Sequence, residues 1–243
     1  NIVKMIDSGS HEISEKIKKS KKPIVIIGES ALYGNAGRYI FETIKKFLLT
    51  NNLITKDWNA FNILTQQASR VGAIDLGFYS ISEKENFSFF DKLDNGLFKF
   101  IYLLGADDIK FDKGDKFIVY QGSHGDKGAE IADIVLPGAA YTEKNGLFVN
   151  LEGKIQRAYK ASYPPGDSLE DWKIIKDLSK MFKKSEDYKD ANDLEKIIRK
   201  NIIQKSSNDF KKSKIINFIE KEISIKPIDY YFTNSIARSS KTM

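Results

Sequence analysis

Short apolar runs recur along residues 1–182, and glycine or proline follows each of them closely. Four of these runs predict β-strands, because they are too short for helices and rich in branched or aromatic residues. They are Ile24–Ile27, Phe100–Leu104, Phe117–Tyr120 and Ile134–Leu136. Continuous apolar runs of this kind are typical of strands that are covered on both faces, as in a parallel sheet.

Segments between these runs place apolar residues at helical spacing. A short amphipathic helix is predicted at His11–Ser20, and a longer helix opens at Gly37. The apolar stripe of the longer helix consists of Ile40, Ile44, Phe47 and Leu48. An irregular helix is predicted over Trp58–Gly77, and its candidates for the core are Ile63, Leu64, Ala68, Val71 and Ile74.

Pro164–Gly166 breaks the chain before another helix. Asp167 or Ser168 is predicted to cap that helix, because short polar side chains accept hydrogen bonds from the first free backbone N–H groups. The apolar residues of the helix are Leu169, Trp172, Ile175, Leu178 and Phe182. Residues 183–227 lack strand patterns and contain two amphipathic stretches, marked by Leu194, Ile197, Ile198 and Ile202 and by Ile215, Phe218 and Ile219.

Strand, glycine and helix alternate in the order expected of an α/β fold with a doubly wound, mostly parallel sheet. We therefore predict an α/β domain over residues 1–182, a helical region over 183–227 and an extended tail over 228–243. Right-handed crossovers would place the loops after Gly28, Gly105 and Gly122 at the carboxyl edge of the sheet, where such folds bind ligands.

Composition excludes several kinds of site. The chain has no cysteine and only two histidines, so it has no thiolates for iron–sulfur clusters, and a histidine metal cluster is not expected. The net charge of +6 comes from lysines interleaved with acids, which indicates solvated helix faces and not a nucleic-acid surface. No apolar run approaches the roughly 20 residues that span a bilayer, so we expect no direct membrane insertion.

Two glycine-containing loops at the predicted edge resemble phosphate sites only in part. Gly28–Gly37 joins a strand to a helix, but its spacing matches neither GxGxxG nor a P-loop, which favours a plain tight turn. Gly105–Asp108 places two carboxylates directly after a strand, where they would repel a pyrophosphate. Consecutive side chains usually point apart, so we predict an exposed turn at Asp107 and Asp108 and no acid–base pair.

The loop Gln121–Asp126 contains Ser123, His124 and Asp126, the residue types of a hydrolase triad. The nucleophile-elbow pattern GxSxG is absent, and neighbouring residues seldom reach triad geometry. We therefore predict a helix N-terminus, with Ser123 or Asp126 capping the turn that ends at Ala132 and His124 bonded to a local backbone group.

The segment Ala129–Gln156 carries the densest pattern in the chain. Pro137 and Gly138 stop a strand, and the small residues Ala139 and Ala140 permit close packing. A turn at Gly146 then precedes the alternating run Leu147–Gly153. Its polar members predict structural roles: Glu143 partly buried and hydrogen-bonded, and Asn150 and Glu152 on one strand face, with Gln156 beyond them.

These residues resemble the molybdopterin oxidoreductases. Among the descendants of that family, the chain is most similar to the C-terminal region of the 75 kDa iron–sulfur subunit of respiratory complex I (NADH:ubiquinone oxidoreductase), the largest subunit of its peripheral arm. The matching stretches are Ser8–His11, Lys22–Gly28, Asp57–Trp58, Asn62–Leu64, Ala73–Gly77, Leu103–Asp107, Tyr120–Asp126, Gly138–Lys144, Pro164–Gly166, Glu170–Ile175 and Asp229–Met243. So many ordered matches make the resemblance specific, and it is poorest over Lys183–Ser224.

The resemblance implies a sheet of molybdopterin-oxidoreductase type and a structural role in the hydrophilic arm of complex I. The chain would support electron transfer from NADH to ubiquinone through a cluster-bearing partner half. It is expected to have no catalytic, cofactor-binding or metal residues of its own. Expected partners are other peripheral-arm subunits, above all the cysteine-rich half of the same subunit, which is either a separate polypeptide, our hypothesis, or a part not included in this sequence. The expected location is the matrix side of the mitochondrial inner membrane, or the cytoplasmic side of a bacterial inner membrane.

Two other functions stay open on sequence grounds. The first is a fragment of a molybdopterin-binding oxidoreductase, in which the strand end at Gly105 would carry a Gly-x-Asn-Pro type loop. The acidic Gly105–Asp108 loop departs from that pattern, and the absence of cysteine removes one metal ligand that the family uses. The second is a hydrolase that uses Ser123 and His124.

Overall fold

Short strands and helices alternate along the computed structural model, which describes residues 1–33, 36–78, 92–93, 95–109, 111–203, 217–218 and 231–242. The helices are α1 Ile2–Ser8, α2 Glu12–Lys19, α3 Gly37–Thr50, α4 Arg70–Asp75, α5 Lys127–Glu130, α6 Asp171–Met181, α7 Ala191–Ile203 and α8 Ser235–Ser239. The strands are β1 Val25–Gly28, β2 Phe61–Leu64, β3 Phe100–Leu104, β4 Phe117–Gly122, β5 Ile134–Pro137, β6 Gly146–Val149 and β7 Ile155–Ala158. No helix in these ranges is both long and apolar enough to cross a bilayer.

The strands β1 to β5 pair in parallel within the described ranges. β1 pairs with β2, with Val25 opposite Phe61 and Gly28 opposite Leu64. β3, β4 and β5 form a sheet in that order, with Phe100 opposite Phe117. A separate two-stranded sheet joins β6 and β7. The predicted mixture of helices and parallel sheet is therefore confirmed, whereas the doubly wound arrangement stays a prediction.

The chain divides into two compact units. The first comprises residues 1–76, 148–155 and 200–226, and the second comprises residues 77–147, 156–199 and 227–243. Both units combine separate stretches of sequence. The predicted domains, with boundaries after residues 182 and 227, are consecutive segments and stay a prediction.

The core of the first unit lies between α3 and the β1–β2 pair. Leu48 is completely buried, and Phe47 and Ile27 are nearly so, which confirms the predicted apolar stripe of α3. Gly37 begins this helix against the 3₁₀ turn Glu29–Leu32, and a Cβ there would overlap the Leu32 carbonyl. Only glycine therefore allows this close approach.

The core of the second unit forms on one face of the β3–β4–β5 sheet. Ile118 and Tyr120 are completely buried, and Leu103 packs beside them. Alternate residues of a strand point to opposite faces, so Ile118 and Tyr120 enter the same core. The strands predicted at Phe100–Leu104 and Phe117–Tyr120 are confirmed here, and β4 continues to Gly122.

One predicted helix is wrong over its first half. Phe61–Leu64 forms β2, and the helix predicted from Trp58 is confined to Arg70–Asp75. The Asn59 side chain accepts the Phe61 N–H at 3.0 Å, and Val25 N–H reaches the Ala60 carbonyl at 2.8 Å. Pairing with β1 therefore outweighs the helical spacing of the apolar residues, because tertiary context overrides local propensity.

The prediction that the apolar runs are covered on both faces is also wrong for β1. Ile26 is 61% exposed, whereas its neighbour Ile27 is 6% exposed. In β5, Ile134 and Val135 are likewise about half exposed. A continuous apolar run therefore marked these strands correctly without revealing which face is packed.

The helix predicted to begin after Asp167 or Ser168 begins later. Its N-cap is Glu170, and α6 starts at Asp171. Leu169, predicted as helical, forms a parallel bridge with Gly138, and its carbonyl accepts the Ala139 N–H at 2.8 Å. The backbone N–H and C=O of Leu169 are hydrogen-bonded at the end of β5, so the helix cannot include this residue.

Two C-terminal predictions have different outcomes. The helix predicted from Leu194 to Ile202 is confirmed as α7, with Ile202 buried. The helix predicted around Ile215 and Ile219 lies outside the described residues. The tail is not extended throughout, because Ser235–Ser239 forms α8, whose N-terminus is capped by the Asn234 side chain.

We expect Leu48→Ala to lower the free energy of unfolding by about 2–5 kcal/mol, because it leaves a cavity in the first core. Leu64→Ala is the matched control, since Leu64 lies in the same unit and is 53% exposed. That variant should lose less than about 1 kcal/mol. Urea unfolding of both proteins measures the difference, and equal losses would show that Leu48 does not carry the core.

Candidate functional site

The carboxyl ends of β3, β4 and β5 bring two of the predicted loops together. The Gly105 N–H donates to the Gln121 carbonyl at 2.8 Å, and the Gly128 N–H donates to the Asp107 carbonyl at 3.0 Å. The loops after Gly105 and Gly122 therefore share one edge, as predicted. The third predicted loop, after Gly28, belongs to the other unit.

Tyr120 links these two loops through its hydroxyl. The hydroxyl lies 2.5 Å from Asp107 Oδ1 and 2.9 Å from the His124 carbonyl oxygen. Burial, followed by the Asp107 carboxylate, raises the pKa of Tyr120 well above its usual range, so the hydroxyl stays protonated as a donor. The predicted exposed turn is therefore correct for Asp108 and wrong for Asp107, which is half-buried and hydrogen-bonded.

A second polar network crosses the opposite face of the same sheet. Gln121 is completely buried, its Oε1 accepts from the Tyr102 hydroxyl, and its Nε2 donates to Asp171 Oδ1 at 2.9 Å. The other Asp171 oxygen pairs with Lys144. Burial, then the Asp171 carboxylate, raises the pKa of Tyr102. Sequence reasoning missed this network, although a glutamine following the apolar run of β4 was a signal for it.

Asp126 is the hydrogen-bonding centre of the loop after β4. Its Oδ1 accepts the Lys127 N–H at 2.8 Å and caps α5, which confirms one of the two predicted caps. Its Oδ2 pairs with Arg238 Nε at 2.6 Å, and the two side chains are 13% and 20% exposed. Burial raises the pKa of Asp126, but the Lys127 N–H and the Arg238 guanidinium outweigh that effect and lower the pKa.

Ser123 and His124 do not form a triad with Asp126. Ser123 Oγ lies 3.0 Å from His124 Nδ1, while both Asp126 oxygens are bound to Lys127 and Arg238. The imidazole therefore lacks the carboxylate that would orient it. The expected contact of the His124 ring with a backbone group is wrong as well, because the ring bonds to Ser123.

Backbone N–H groups at this edge donate to acceptors within the chain. Gly138 N–H donates to the Gly122 carbonyl at 2.9 Å, and Ala129 N–H donates to the Asp126 carbonyl at 2.8 Å. Ala140 N–H donates to Glu143 Oε2 at 2.9 Å, which confirms that Glu143 is partly buried and bonded. An anion that approached these three N–H groups would find each of them already bonded within the chain.

The polar residues that follow β6 form a turn. β6 ends at Val149, and Asn150 Oδ1 accepts the N–H groups of Glu152 and Lys154 at 3.0 and 2.9 Å. The predicted placement of Asn150 and Glu152 on one strand face is therefore wrong, because the Asn150 side chain closes the turn. Gln156 lies in β7 and is exposed.

In the first unit, the loop after β1 contains a buried acid that sequence reasoning missed. Glu29 is 7% exposed, and the predicted plain tight turn is a 3₁₀ turn over Glu29–Leu32. Gly34 and Asn35, within the same predicted loop, lie outside the described residues. No group of three or more histidine, aspartate or glutamate side chains in the described ranges could hold a metal ion.

The depressed pKa of Asp126 gives a testable pH dependence. An unfolded aspartate has a pKa of about 3.9, so the ionised Asp126 contributes stability above that pH and loses it as pH falls through its lower folded pKa. We expect Asp126→Asn to be less stable than the wild type at neutral pH, and this difference should shrink on acidification. Urea unfolding from about pH 6 to pH 3 measures it.

Asp108→Asn is the control for that titration, because Asp108 is an exposed carboxylate on the neighbouring loop. Its stability difference from the wild type should stay small over the whole range. A difference for Asp126→Asn that is constant with pH would contradict the assignment.

The chain is similar in sequence to known proteins and protein families. The family model for molybdopterin oxidoreductase matches residues 1–181, and the model for the C-terminal part of the NADH-ubiquinone oxidoreductase G subunit matches residues 199–243. The NADH-ubiquinone oxidoreductase 75 kDa subunit of Reclinomonas americana is 41% identical, over 98% of this chain and 36% of its own length. The NADH-quinone oxidoreductase G subunit of Rickettsia typhi is 37% identical, over 100% of this chain and 36% of its own length.

A fungal relative covers less of the chain. The mitochondrial NADH-ubiquinone oxidoreductase 78 kDa subunit of Candida albicans is 44% identical, over 69% of this chain and 22% of its own length. The chain thus spans about a third or less of the length of these curated relatives. Its long match to one family model and its separate C-terminal match lead to one assignment: the chain belongs to the molybdopterin oxidoreductase family, in the branch that carries the C-terminal region of the complex I G subunit.

Proposed function

We propose that the chain is a structural part of the peripheral arm of complex I. It would support electron transfer from NADH to ubiquinone through a cluster-bearing partner half, without a redox centre of its own. The main support is the carboxyl edge of the β3–β4–β5 sheet, where the Gly105, Gly128 and Gly138 N–H groups donate to backbone carbonyls and the Lys127 N–H donates to Asp126. A doubly wound order of the complete sheet also belongs to this proposal.

The residues at that edge do not fit a pyrophosphate-linked molybdopterin. A bound phosphate needs free N–H donors or cations, as at helix N-termini and glycine-rich turns. Here the Gly105, Gly128 and Gly138 N–H groups have partners in the chain. The Asp107 carboxylate adds negative charge next to them, which opposes a further anion.

The absence of cysteine indicates that the thiolate ligands of any iron–sulfur cluster come from outside this sequence. Iron–sulfur clusters are held mainly by cysteine thiolates, and this chain contains none. We therefore propose that the clusters lie in a cysteine-rich half of the subunit outside this sequence, corresponding to the rest of the relatives' length, and that other peripheral-arm subunits are further partners. The assembly would lie on the matrix side of the mitochondrial inner membrane or the cytoplasmic side of a bacterial inner membrane.

The C-terminal tail, Ile228–Met243, is the proposed contact with neighbouring subunits. Arg238 anchors the helical part of the tail to Asp126, and Ser235 in the same helix is buried. Tyr231 and Phe232 are 74% and 37% exposed. Aromatic residues are enriched in the centres of protein interfaces, so this side of the tail suits a partner surface while the other side remains anchored.

We expect the chain to co-migrate with a high-mass NADH dehydrogenase band and with a cysteine-rich polypeptide on native gels of mildly solubilised membranes. Antibody detection, activity staining and mass spectrometry of the band measure this. Migration as a free protein would contradict the structural role. Molybdenum or tungsten in that free protein would favour the alternative, a molybdopterin-binding oxidoreductase fragment. The family match over residues 1–181 is compatible with both functions.

We expect Arg238→Ala to loosen the tail, because it leaves the Asp126 carboxylate without its guanidinium partner. The loss in stability should be about 1–2 kcal/mol, and less of the variant should enter the high-mass band. Hydrogen exchange of residues 231–242 and native gels measure the two effects. Lys241→Ala, which removes an exposed cation of the same tail, is the control. Equal hydrogen exchange and equal entry into the high-mass band for both variants would contradict the role of Arg238 as an anchor.

A further inference from the structure

Glu29 is a buried carboxylate at the carboxyl end of β1. The residue follows Gly28, the last residue of the strand, and its side chain is 8% exposed. A carboxylate removed from water is costly unless donors or cations surround it. Glu29 therefore requires an explanation, which its neighbours supply.

Donors from separate segments converge on this one group. The Gln66 N–H, which follows β2, donates to Glu29 Oε2 at 2.8 Å. Arg70 Nη1, at the start of α4, lies 2.9 Å from Glu29 Oε1. Burial, followed by the charge of the nearby Glu29 carboxylate, raises the pKa of Tyr33. Both oxygens are thus bound, one by a backbone amide and the other by a guanidinium.

This set of donors has the chemistry of an oxyanion site. A backbone N–H at the carboxyl end of a parallel strand, combined with an arginine, is a common way for α/β proteins to hold a carboxylate or phosphate group. Here the negative charge belongs to the chain itself. Glu29 reaches the donors from β1, while Gln66 and Arg70 come from the loop and helix after β2.

Two residues near Glu29 are in contact with solvent. The Arg70 side chain is 41% exposed and Tyr33 is 53% exposed, although the Glu29 side chain between them is buried. A small anion could therefore reach the donors past Arg70 and Tyr33 if the Glu29 carboxylate were absent. The same donors would then face an unfilled space of about the size of that carboxylate.

We propose that the Gln66 N–H and Arg70 form an oxyanion site for a small carboxylate, which Glu29 occupies as an internal ligand. The residue at position 29 thus determines whether this edge is closed or accepts an external anion. This inference concerns the first unit alone and does not depend on membership of complex I.

Chemical rescue tests the site in the purified chain. Glu29→Ala should unfold at a lower temperature than the wild type, and sodium formate should raise its midpoint in a saturable way, by about 2–4 °C. Sodium chloride at equal ionic strength should have a smaller effect. The wild type should show no formate-specific rise, because its own carboxylate fills the site.

Two control variants separate site binding from general salt effects. Glu29→Ala with Arg70→Ala lacks the cation and should lose the formate response. Leu48→Ala, a core variant in the same unit, should respond to formate and chloride alike. A formate response of equal size in either control would overturn the proposal, as would its absence in folded Glu29→Ala.

A second measurement applies if Glu29→Ala does not fold. Refolding yield with formate should then exceed the yield with chloride, and equal yields would overturn the proposal. Glu29→Gln keeps the side-chain volume but removes the charge, so it should unfold at a lower temperature than the wild type at neutral pH. A wild-type midpoint for Glu29→Gln would show that the charge is not the ligand, which also overturns the proposal.

Discussion

The hydrogen bond between the Tyr120 hydroxyl and Asp107 is the interaction on which the rest of the second unit's edge depends. The aromatic ring belongs to the core with Leu103 and Ile118, so the hydroxyl is carried into the interior with it. A buried hydroxyl needs a partner, and Asp107 and the His124 carbonyl provide one on each neighbouring loop. Core packing and the position of both loops are therefore set by one side chain.

The same side chain explains two glycines nearby. A Cβ at Gly122 would overlap the Tyr120 hydroxyl, and a Cβ at Gly128 would lie 2.7 Å from the Ala106 carbonyl and 3.0 Å from the Tyr120 ring. The loops can close over the ring only because these two positions lack side chains. Once they have closed, Asp126 is in position to cap α5 and to bind Arg238.

Sequence patterns predicted the elements whose apolar residues follow a regular helical or strand spacing. They failed where contacts with residues far along the chain determine the structure. The stripe of α3 and the runs of β3 and β4 could be read locally, because each apolar pattern lies within one element. β2 could not be recognised from its own residues, since its partner β1 lies more than thirty positions earlier. Glu29 and Gln121 could not be assigned either, because their donors and acceptors, Gln66, Arg70 and Asp171, are far away along the chain.

The interleaving of the two units has a consequence for how the chain folds during synthesis. The first unit combines stretches between residues 1 and 226 and the second combines stretches between residues 77 and 243, so neither is complete when its first strands leave the ribosome. Arg238 lies 112 positions after Asp126, and contacts of such separation form slowly because a long loop must close first. Until that loop closes, the Asp126 carboxylate lacks its guanidinium partner, and an incompletely folded chain is open to contacts with other polypeptides.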